Sequence, residues 1–303
     1  MSLKRIMFVL VIAFSIVIVN SCKSDNSQEK HKNNLVGFQT TENLNDIDIR
    51  DEQEIYYRFP SAREMFLYIN DEDFTYRTDL VNLPNNVDNY LDSKSKTLNL
   101  GVYLADLSYM TLFGKTGNLK KYMNAIAVLS EDLRLEIPYE RNIFIRINKN
   151  INNNDSIINI ADEYYSKVID YLMKNNKEKT LAVISIGGYI EGLYIAINLT
   201  DEFSENSPVI QRIAEQKLSF ENLKMFTYKF RNDKNASQSI IYLNKIMSVF
   251  NEFKIEKQAT KIKQYKTNSF VIEGGNSIIV TKEQYMKLKN VVTEIRMQII
   301  ENY

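Results

Sequence analysis

Two acidic residues stand alone in strongly apolar stretches of the chain. Asp106 is the only charge in residues 98–113, and Glu191 is the only charge in residues 181–199. Two carboxyl groups held near each other can act as general acid and general base, as in glycoside hydrolysis. One hypothesis is therefore a glycan-acting hydrolase that uses Asp106 and Glu191 as paired carboxylates.

The same two acids allow two further interpretations. In the first, each is a buried structural carboxylate that accepts hydrogen bonds from a Tyr hydroxyl or from backbone N–H groups, because an unpaired buried charge is very unfavourable. In the second, both acids lie in a tyrosine-lined pocket that binds a small polar ligand. The candidate ligand-binding residues are then Tyr103, Asp106, Tyr189, Glu191 and Tyr194.

The composition narrows the classes of function. The chain has one Cys and one His, which excludes a disulfide framework, a Cys/His zinc site and a His-assisted nucleophile inside the fold. Lys plus Arg and Asp plus Glu both total 38, so the usual electrostatic basis of nucleic-acid binding is missing. No calcium loop and no Gly-rich dinucleotide fingerprint is found. We expect no metal, no cofactor and no nucleic-acid partner, and a binding protein rather than an enzyme.

The first residues of the chain predict a targeting signal. A short basic start precedes an apolar run over residues 6–19, which fits the core of a secretory signal and is short for a membrane span of about 20 residues. Val19, Ser21 and Cys22 follow with the spacing of a bacterial lipoprotein signal, in which the Cys becomes the acylated first residue. The alternative is a plain secretory signal followed by an incidental Cys.

We therefore expect a signal peptide over residues 1–21, a lipidated flexible tether over 22–34 and a single mainly helical domain over 35–303. Acyl chains such as palmitate on Cys22 would attach the protein to the lipid bilayer, since two or three chains hold a protein stably where one does not. The expected location is the cell envelope, at the outer membrane. The tether is polar and contains His31, the only His of the chain.

Helical periodicity dominates the rest of the sequence. Short loops connect several of the predicted helices, and short connections make neighbouring helices antiparallel. The expected fold class is all-α, a multi-helical bundle of antiparallel helical hairpins with a small C-terminal β-hairpin. The predicted helices cover approximately residues 97–113, 118–133, 139–150, 156–175, 178–199, 208–230, 235–253 and 281–300, with a short one after Ser61.

Residues 254–303 are expected to form the β-hairpin and a final helix that pack on this bundle. The pair Gly274 and Gly275 separates two apolar runs and predicts a tight turn, because both central positions of such a turn favour positive φ. Thr281 and Gln284 have the spacing of a capping box and predict the start of the last helix. The Lys-rich residues 254–268 have no clear pattern; they are a solvated segment or a basic stripe that faces anionic lipid or polymer.

Glycines in the two apolar stretches predict close helix packing. Gly188 and Gly192 are four residues apart and share a helix face, and Gly101 occupies the earlier stretch. A glycine inside a helix costs about 1 kcal/mol relative to Ala, so close packing must offset that cost. We expect residues 181–199 to be a central core helix rather than a membrane span.

Three segments carry a resemblance to a known group of proteins. They read Gly-Val-Tyr-Leu-Ala-Asp-Leu-Ser-Tyr at 101–109, Asn-Asn-Asn-Asp-Ser at 152–156 and Gly-Gly-Tyr-Ile-Glu-Gly-Leu-Tyr at 187–194. In these segments the chain resembles uncharacterised lipoproteins of Bacteroidetes-type bacteria. The resemblance implies an all-helical envelope lipoprotein and assigns no catalytic residue.

These observations favour one functional hypothesis over another. The first is a membrane-anchored envelope lipoprotein that binds or scaffolds a protein partner or a small polar ligand. The alternative is the glycan-acting hydrolase described above.

Overall fold

A computed structural model describes residues 65–66, 74–136, 141–150, 153–200, 202–205, 207–266 and 269–301. All of them belong to one compact unit, Ile49–Tyr303. The predicted signal peptide, Cys22 and the tether lie outside the described residues, so those expectations stay predictions. Of the helix expected after Ser61, only the buried helical residues Met65 and Phe66 are described.

The predicted fold class is confirmed: the structure is mainly helical, with a small two-stranded antiparallel sheet near its C-terminus. Most helix boundaries fall within a few residues of the positions that the periodicity predicted. The helices are α1 (Ser93–Leu112), α2 (Leu119–Asp132), α3 (Arg141–Lys149), α4 (Asn154–Lys174), α5 (Glu178–Leu199), α6 (Pro208–Tyr228), α7 (Lys234–Phe250) and α8 (Lys282–Ile300).

Side-chain caps explain where several helices begin. The Thr281 side chain accepts a hydrogen bond from the Gln284 N–H while the Gln284 side chain accepts one from the Thr281 N–H, which confirms the predicted capping box of α8. Helix α1 begins earlier than expected because the Asp92 carboxylate accepts hydrogen bonds from two backbone N–H groups of the first turn. These contacts satisfy donors that a helix start leaves unpaired.

Helices α1 and α5 form the centre of the core and make the most extensive helix–helix contact in the described structure. Glycines allow their backbones to touch. A Cβ atom at Gly101 would overlap the carbonyl oxygen of Ile184, and one at Gly187 would overlap the carbonyl oxygen of Leu98. Gly188 is close as well, with 3.2 Å between a built Cβ and the Gly101 carbonyl oxygen. The predicted close packing at Gly101 and Gly188 is present, and Gly187 contributes to it.

By length and composition, α5 is the one helix among the described residues that could cross a membrane. Its most apolar window is 83% buried inside the structure. Central position in a helical core accounts for an apolar surface on every side.

The C-terminal hairpin exists, but its predicted turn is wrong. Strand β1 (Lys254–Lys266) pairs with β2 (Ser269–Ile279), so Gly274 and Gly275 lie inside β2. The pairs Gln258 with Gly275 and Lys261 with Glu273 place two residues of β1 opposite one residue of β2, which is a β-bulge. The bulge changes which residues of β1 share a face. The alternation expected of a strand is therefore interrupted in the Lys-rich segment, and the sequence alone did not predict a strand there. The link at 267–268 lies outside the described residues.

An extended segment precedes α1 and crosses the bundle. We call residues 74–91 the strap; it contains two short 3-10 turns, Thr78–Leu80 and Pro84–Asn89. The first turn packs against α5, and the second packs against α1 and α2. The strap therefore covers one end of the central helix pair, where the two interior acids are found.

Candidate functional site

Asp106 of α1, Glu191 of α5 and Arg296 of α8 meet in the protein interior. The Arg296 guanidinium forms two parallel hydrogen bonds to Glu191, from Nε to Oε2 and from Nη2 to Oε1, both 3.0 Å long. Both acids have no exposed surface, and Arg296 is 5% exposed. A bidentate guanidinium–carboxylate pair is one of the strongest side-chain interactions and fixes both groups in orientation.

Further contacts hold the guanidinium of Arg296 in place. Its Nη2 also donates a hydrogen bond of 3.2 Å to the Leu80 carbonyl oxygen of the strap. Its Cζ lies 4.6 Å from the centre of the Tyr194 ring, which is a cation–π contact. Burial is the largest single effect and lowers the pKa of Arg296, but the charge and hydrogen bonds of Glu191, with smaller contributions from Asp106 and Tyr194, together raise the net pKa.

Asp106 lies beside this ion pair, where its charged form is disfavoured. Its Oδ2 accepts a hydrogen bond of 3.1 Å from the backbone N–H of Asn82 in the strap. Its Oδ1 has no hydrogen-bond partner among the described residues. Burial, then the nearby Glu191 carboxylate, raises the pKa of Asp106 well above its ordinary value, and the opposing effects of Arg296 and the Asn82 N–H are smaller. These causes favour the protonated form of Asp106, in which Oδ1 can carry the proton.

Protonation of Asp106 would balance the charge of the site. One guanidinium cannot neutralise two carboxylates, and the interior disfavours any unpaired charge. With Asp106 protonated, the group of three carries one positive and one negative charge. The raised pKa of Asp106 agrees with this balance.

A neutral polar network continues from these three residues toward the end of α8. Asn99 Nδ2 donates to the Ile299 carbonyl oxygen at 2.9 Å, and the Tyr90 hydroxyl donates to the Ile300 carbonyl oxygen at 3.3 Å. The last carbonyl groups of a helix lack partners inside the helix, so these contacts satisfy them. The network therefore ties the C-terminal end of α8 to α1 and to the strap.

The structure separates the three candidate tyrosines. Tyr194 lies under Arg296, and the Tyr103 hydroxyl donates to the Leu83 carbonyl oxygen of the strap at 2.9 Å. Tyr189 points elsewhere, because its hydroxyl donates to the Gln216 carbonyl oxygen of α6 at 3.2 Å. Burial is the largest cause that raises the pKa of each of these three phenols, so each is a neutral hydroxyl at neutral pH. The five candidates thus form one group of four neighbours and one outlier.

Sequence analysis missed Arg296, which holds the group together. A usable signal was present in α8, where Leu288, Val292 and Ile299 are buried at helical spacing. Arg296 lies four residues after Val292 and three before Ile299, so it shares their inward face. A cation on an apolar helix face is the expected partner of an isolated interior acid.

The chemistry open to these residues is limited by access. Neither carboxyl group is exposed, and the strap supplies a backbone partner to both Asp106 and Arg296. In this arrangement neither acid is accessible to a substrate or a small ligand. The observed arrangement therefore stabilises the fold and orients the strap.

A separate polar cavity of about 240 Å³ opens at the surface where α1, α5 and α7 begin. It is lined in part by Lys177, Lys179 and Asn235. Asp233 also lines it and lies 3.5 Å from the Lys179 ammonium, so the cavity carries both signs of charge. Sequence analysis did not single out these residues, because they come from loops and first turns that are far apart along the chain.

Comparisons with known proteins do not assign the chain to a group. No family model matches it, and neither a curated protein nor a solved structure matches it.

Proposed function

We propose that the protein is a lipid-anchored component of the bacterial cell envelope, at the outer membrane, whose helical body binds or scaffolds a protein partner. The acylated Cys22 supplies attachment and residues 22–34 supply reach. The body supplies a rigid platform rather than a catalytic centre.

Support for the anchor comes from the sequence. The only Cys of the chain stands at position 22, directly after the apolar run of residues 6–19 and the small residue Ser21. A plain signal peptide does not need a Cys at that position. Two or three acyl chains on this residue suffice for stable attachment to a bilayer.

Support for a non-catalytic body comes from one observation, the sealed group of Asp106, Glu191 and Arg296. The two acids that could have served a hydrolase have no exposed surface, and Glu191 is already bound by Arg296. An acid–base pair that cleaves a glycan must contact the scissile bond and a water molecule. The burial of both groups favours a structural role and leaves binding at the surface as the better supported function.

The anchor is tested by feeding radiolabelled palmitate to cells that make the protein and isolating it from the envelope fraction. We expect label on the wild type and none on Cys22→Ala, which should also leave the membrane fraction. A Ser21→Ala variant, which keeps a small residue before the Cys, is the matched control and should be labelled. An unlabelled wild type contradicts the anchor.

The role of the body is tested with a panel of envelope glycans. We expect no turnover by the wild type, by Asp106→Asn or by the control variant Asp88→Asn, which changes an exposed acid of the strap. Turnover by the wild type and by Asp88→Asn that disappears in a folded Asp106→Asn variant would establish the hydrolase instead.

A further inference from the structure

The bundle binds the strap through buried side chains such as Leu80 and Tyr90 and through four hydrogen bonds to the backbone of the strap. The Arg77 N–H donates to the Tyr109 hydroxyl at 2.9 Å, and the Asn82 N–H donates to Asp106. The carbonyl oxygens of Leu80 and Leu83 accept hydrogen bonds from the bundle. Their donors are the side chains of Arg296 and Tyr103.

These four side chains line what we call the strap groove: Tyr103, Asp106 and Tyr109 of α1, and Arg296 of α8. Backbone groups bound in sequence by fixed donors and acceptors are the usual means of recognising an extended peptide. The strap groove therefore has the features of a peptide site that the chain fills with its own segment.

Internal hydrogen bonds allow the strap to keep its shape when it leaves the groove. Asn82 Nδ2 donates to the Tyr90 hydroxyl at 2.8 Å, and Asn86 Nδ2 donates to Asn82 Oδ1 at 2.8 Å. Both bonds join one part of the strap to another. Phe66, which precedes the strap, packs on Tyr109 of α1 with 5.5 Å between the ring centres, so this contact must also be broken and remade when the strap exchanges.

A hinge lies between the strap and the bundle. Leu91 is 83% exposed and connects the buried Tyr90 to Asp92, which caps α1. The strap precedes α1 in the chain, so it can leave the groove without any later helix being threaded through a loop. Short connections of this kind are the places where identical segments exchange between protein copies.

We propose that the strap groove is an interaction site for a second copy of this chain, which fills it with its own strap. Exchange is close to neutral in energy, because every contact broken within a copy is remade between copies. The proposal extends the scaffolding function proposed above, since anchored copies share a membrane surface and meet at high effective concentration.

The test uses the mature chain, residues 22–303, with Cys22→Ser so that new cysteines are unique. One variant adds Arg77→Cys in the strap and another adds Asn198→Cys at the edge of the groove, where Arg77 Nη1 donates to the Asn198 carbonyl oxygen at 3.0 Å. The two are mixed at high concentration, incubated, and treated with a short bismaleimide. A chain with both changes is the geometric control and must crosslink within itself.

We expect a crosslinked product of twice the monomer mass in the mixture. No such product should form when either variant is incubated alone, because each carries only one of the two cysteines. Deletion of Leu91 shortens the hinge and should raise the yield of the crosslinked dimer about tenfold or more. A tenfold change corresponds to a shift of about 1.4 kcal/mol in favour of the exchanged state. A four-residue Gly-Ser insertion after Leu91 should lower the yield, because the strap then reaches its own groove without strain.

The proposal is overturned if the control chain crosslinks fully while the mixture gives no product between copies. It is also overturned if the Asn198→Cys variant, mixed with the Arg77→Cys variant in an envelope extract, is crosslinked to a different protein and not to the Arg77→Cys chain. The outcome is independent of palmitate labelling, so failure of strap exchange and failure of the lipid anchor are distinguishable.

Discussion

The two central helices meet in two ways within a short distance of each other. Around Gly101 and Gly187 the helices touch backbone to backbone, with no side chains between them. About one turn further along α5, at Glu191, they are joined through carboxyl groups and a guanidinium from α8. The first contact is uncharged and uses two helices only. The second is charged and needs a third helix and the strap.

The difference shows which kind of packing a sequence encodes locally. The glycine contact depends on residues within α1 and α5 themselves, so their spacing predicts it. The charged contact depends on Arg296, which is 105 residues from Glu191 along the chain. Its stability depends on the complete set of partners, because removing one leaves a buried charge.

The largest effect is expected where the charged contact loses its cation. Arg296→Met leaves the Glu191 carboxylate buried without its partner and should lower the free energy of unfolding by about 3–5 kcal/mol. Urea denaturation followed by circular dichroism measures it. Lys289→Met, which removes a half-exposed cation from the same helix, is the matched control and should change stability by less than about 1 kcal/mol.

A second variant separates lost charge pairing from lost packing. Replacing Glu191 by Leu in the Arg296→Met background removes the uncompensated charge and should recover part of the lost stability. Equal stability of Arg296→Met and Lys289→Met would show that the pair contributes nothing and that the contrast with the glycine contact is false.

The glycine contact predicts a somewhat smaller loss. Gly101→Ala and Gly187→Ala each place a Cβ onto a backbone carbonyl, which no side-chain rotation relieves, and each should lower the free energy of unfolding by about 3 kcal/mol. Gly188→Ala should change it by less than about 1 kcal/mol, because the helix propensity of Ala offsets mild crowding. Gly117→Ala meets no atom within 4 Å and is the control. A Gly101→Ala protein as stable as Gly117→Ala contradicts the close approach.

The smallest change in the free energy of unfolding at neutral pH is expected for Asp106→Asn. This variant preserves the shape of the side chain and can still accept the hydrogen bond from the Asn82 N–H. The pKa of Asp106 is raised in the folded protein, so the unfolded chain loses this proton first. The stability contribution is complete below about pH 4, the pKa of an unfolded Asp, and declines as pH rises toward the folded pKa. The free energy of unfolding of Asp106→Asn, measured relative to that of the wild type, should therefore increase as the pH is raised from 4 to 8. If the stability of the two proteins depends on pH in the same way, the pKa of Asp106 is not raised in the folded protein.

Local signals were sufficient for most of the fold. Helical periodicity and loop residues gave bounds close to those of α5 and α8, and the Thr281 capping box was correct. The hairpin turn was placed wrongly because a β-bulge changes the alternation within β1, and pairing between strands is not visible in either strand alone.

The candidate site was only half predictable. Asp106 and Glu191 stood out because each was the single charge in an apolar stretch of sequence, residues 98–113 and 181–199. The strap was missed because its buried polar partners are mostly backbone groups, which every residue carries. Tyr189 does not lie with the acids, because it is two residues before Glu191 and so points to another side of α5, where its hydroxyl donates to the Gln216 carbonyl oxygen.

The account depends most on the claim that Asp106 is a sealed, protonated acid beside an ion pair. Carboxyl carbon NMR of selectively labelled Asp, assigned with the Asp106→Asn variant, measures this directly during a pH titration. We predict that the Asp106 signal has the chemical shift of a protonated carboxyl at pH 7 and does not change near pH 4. A midpoint near pH 4, the ordinary value of an Asp side chain in an unfolded chain, would contradict this prediction.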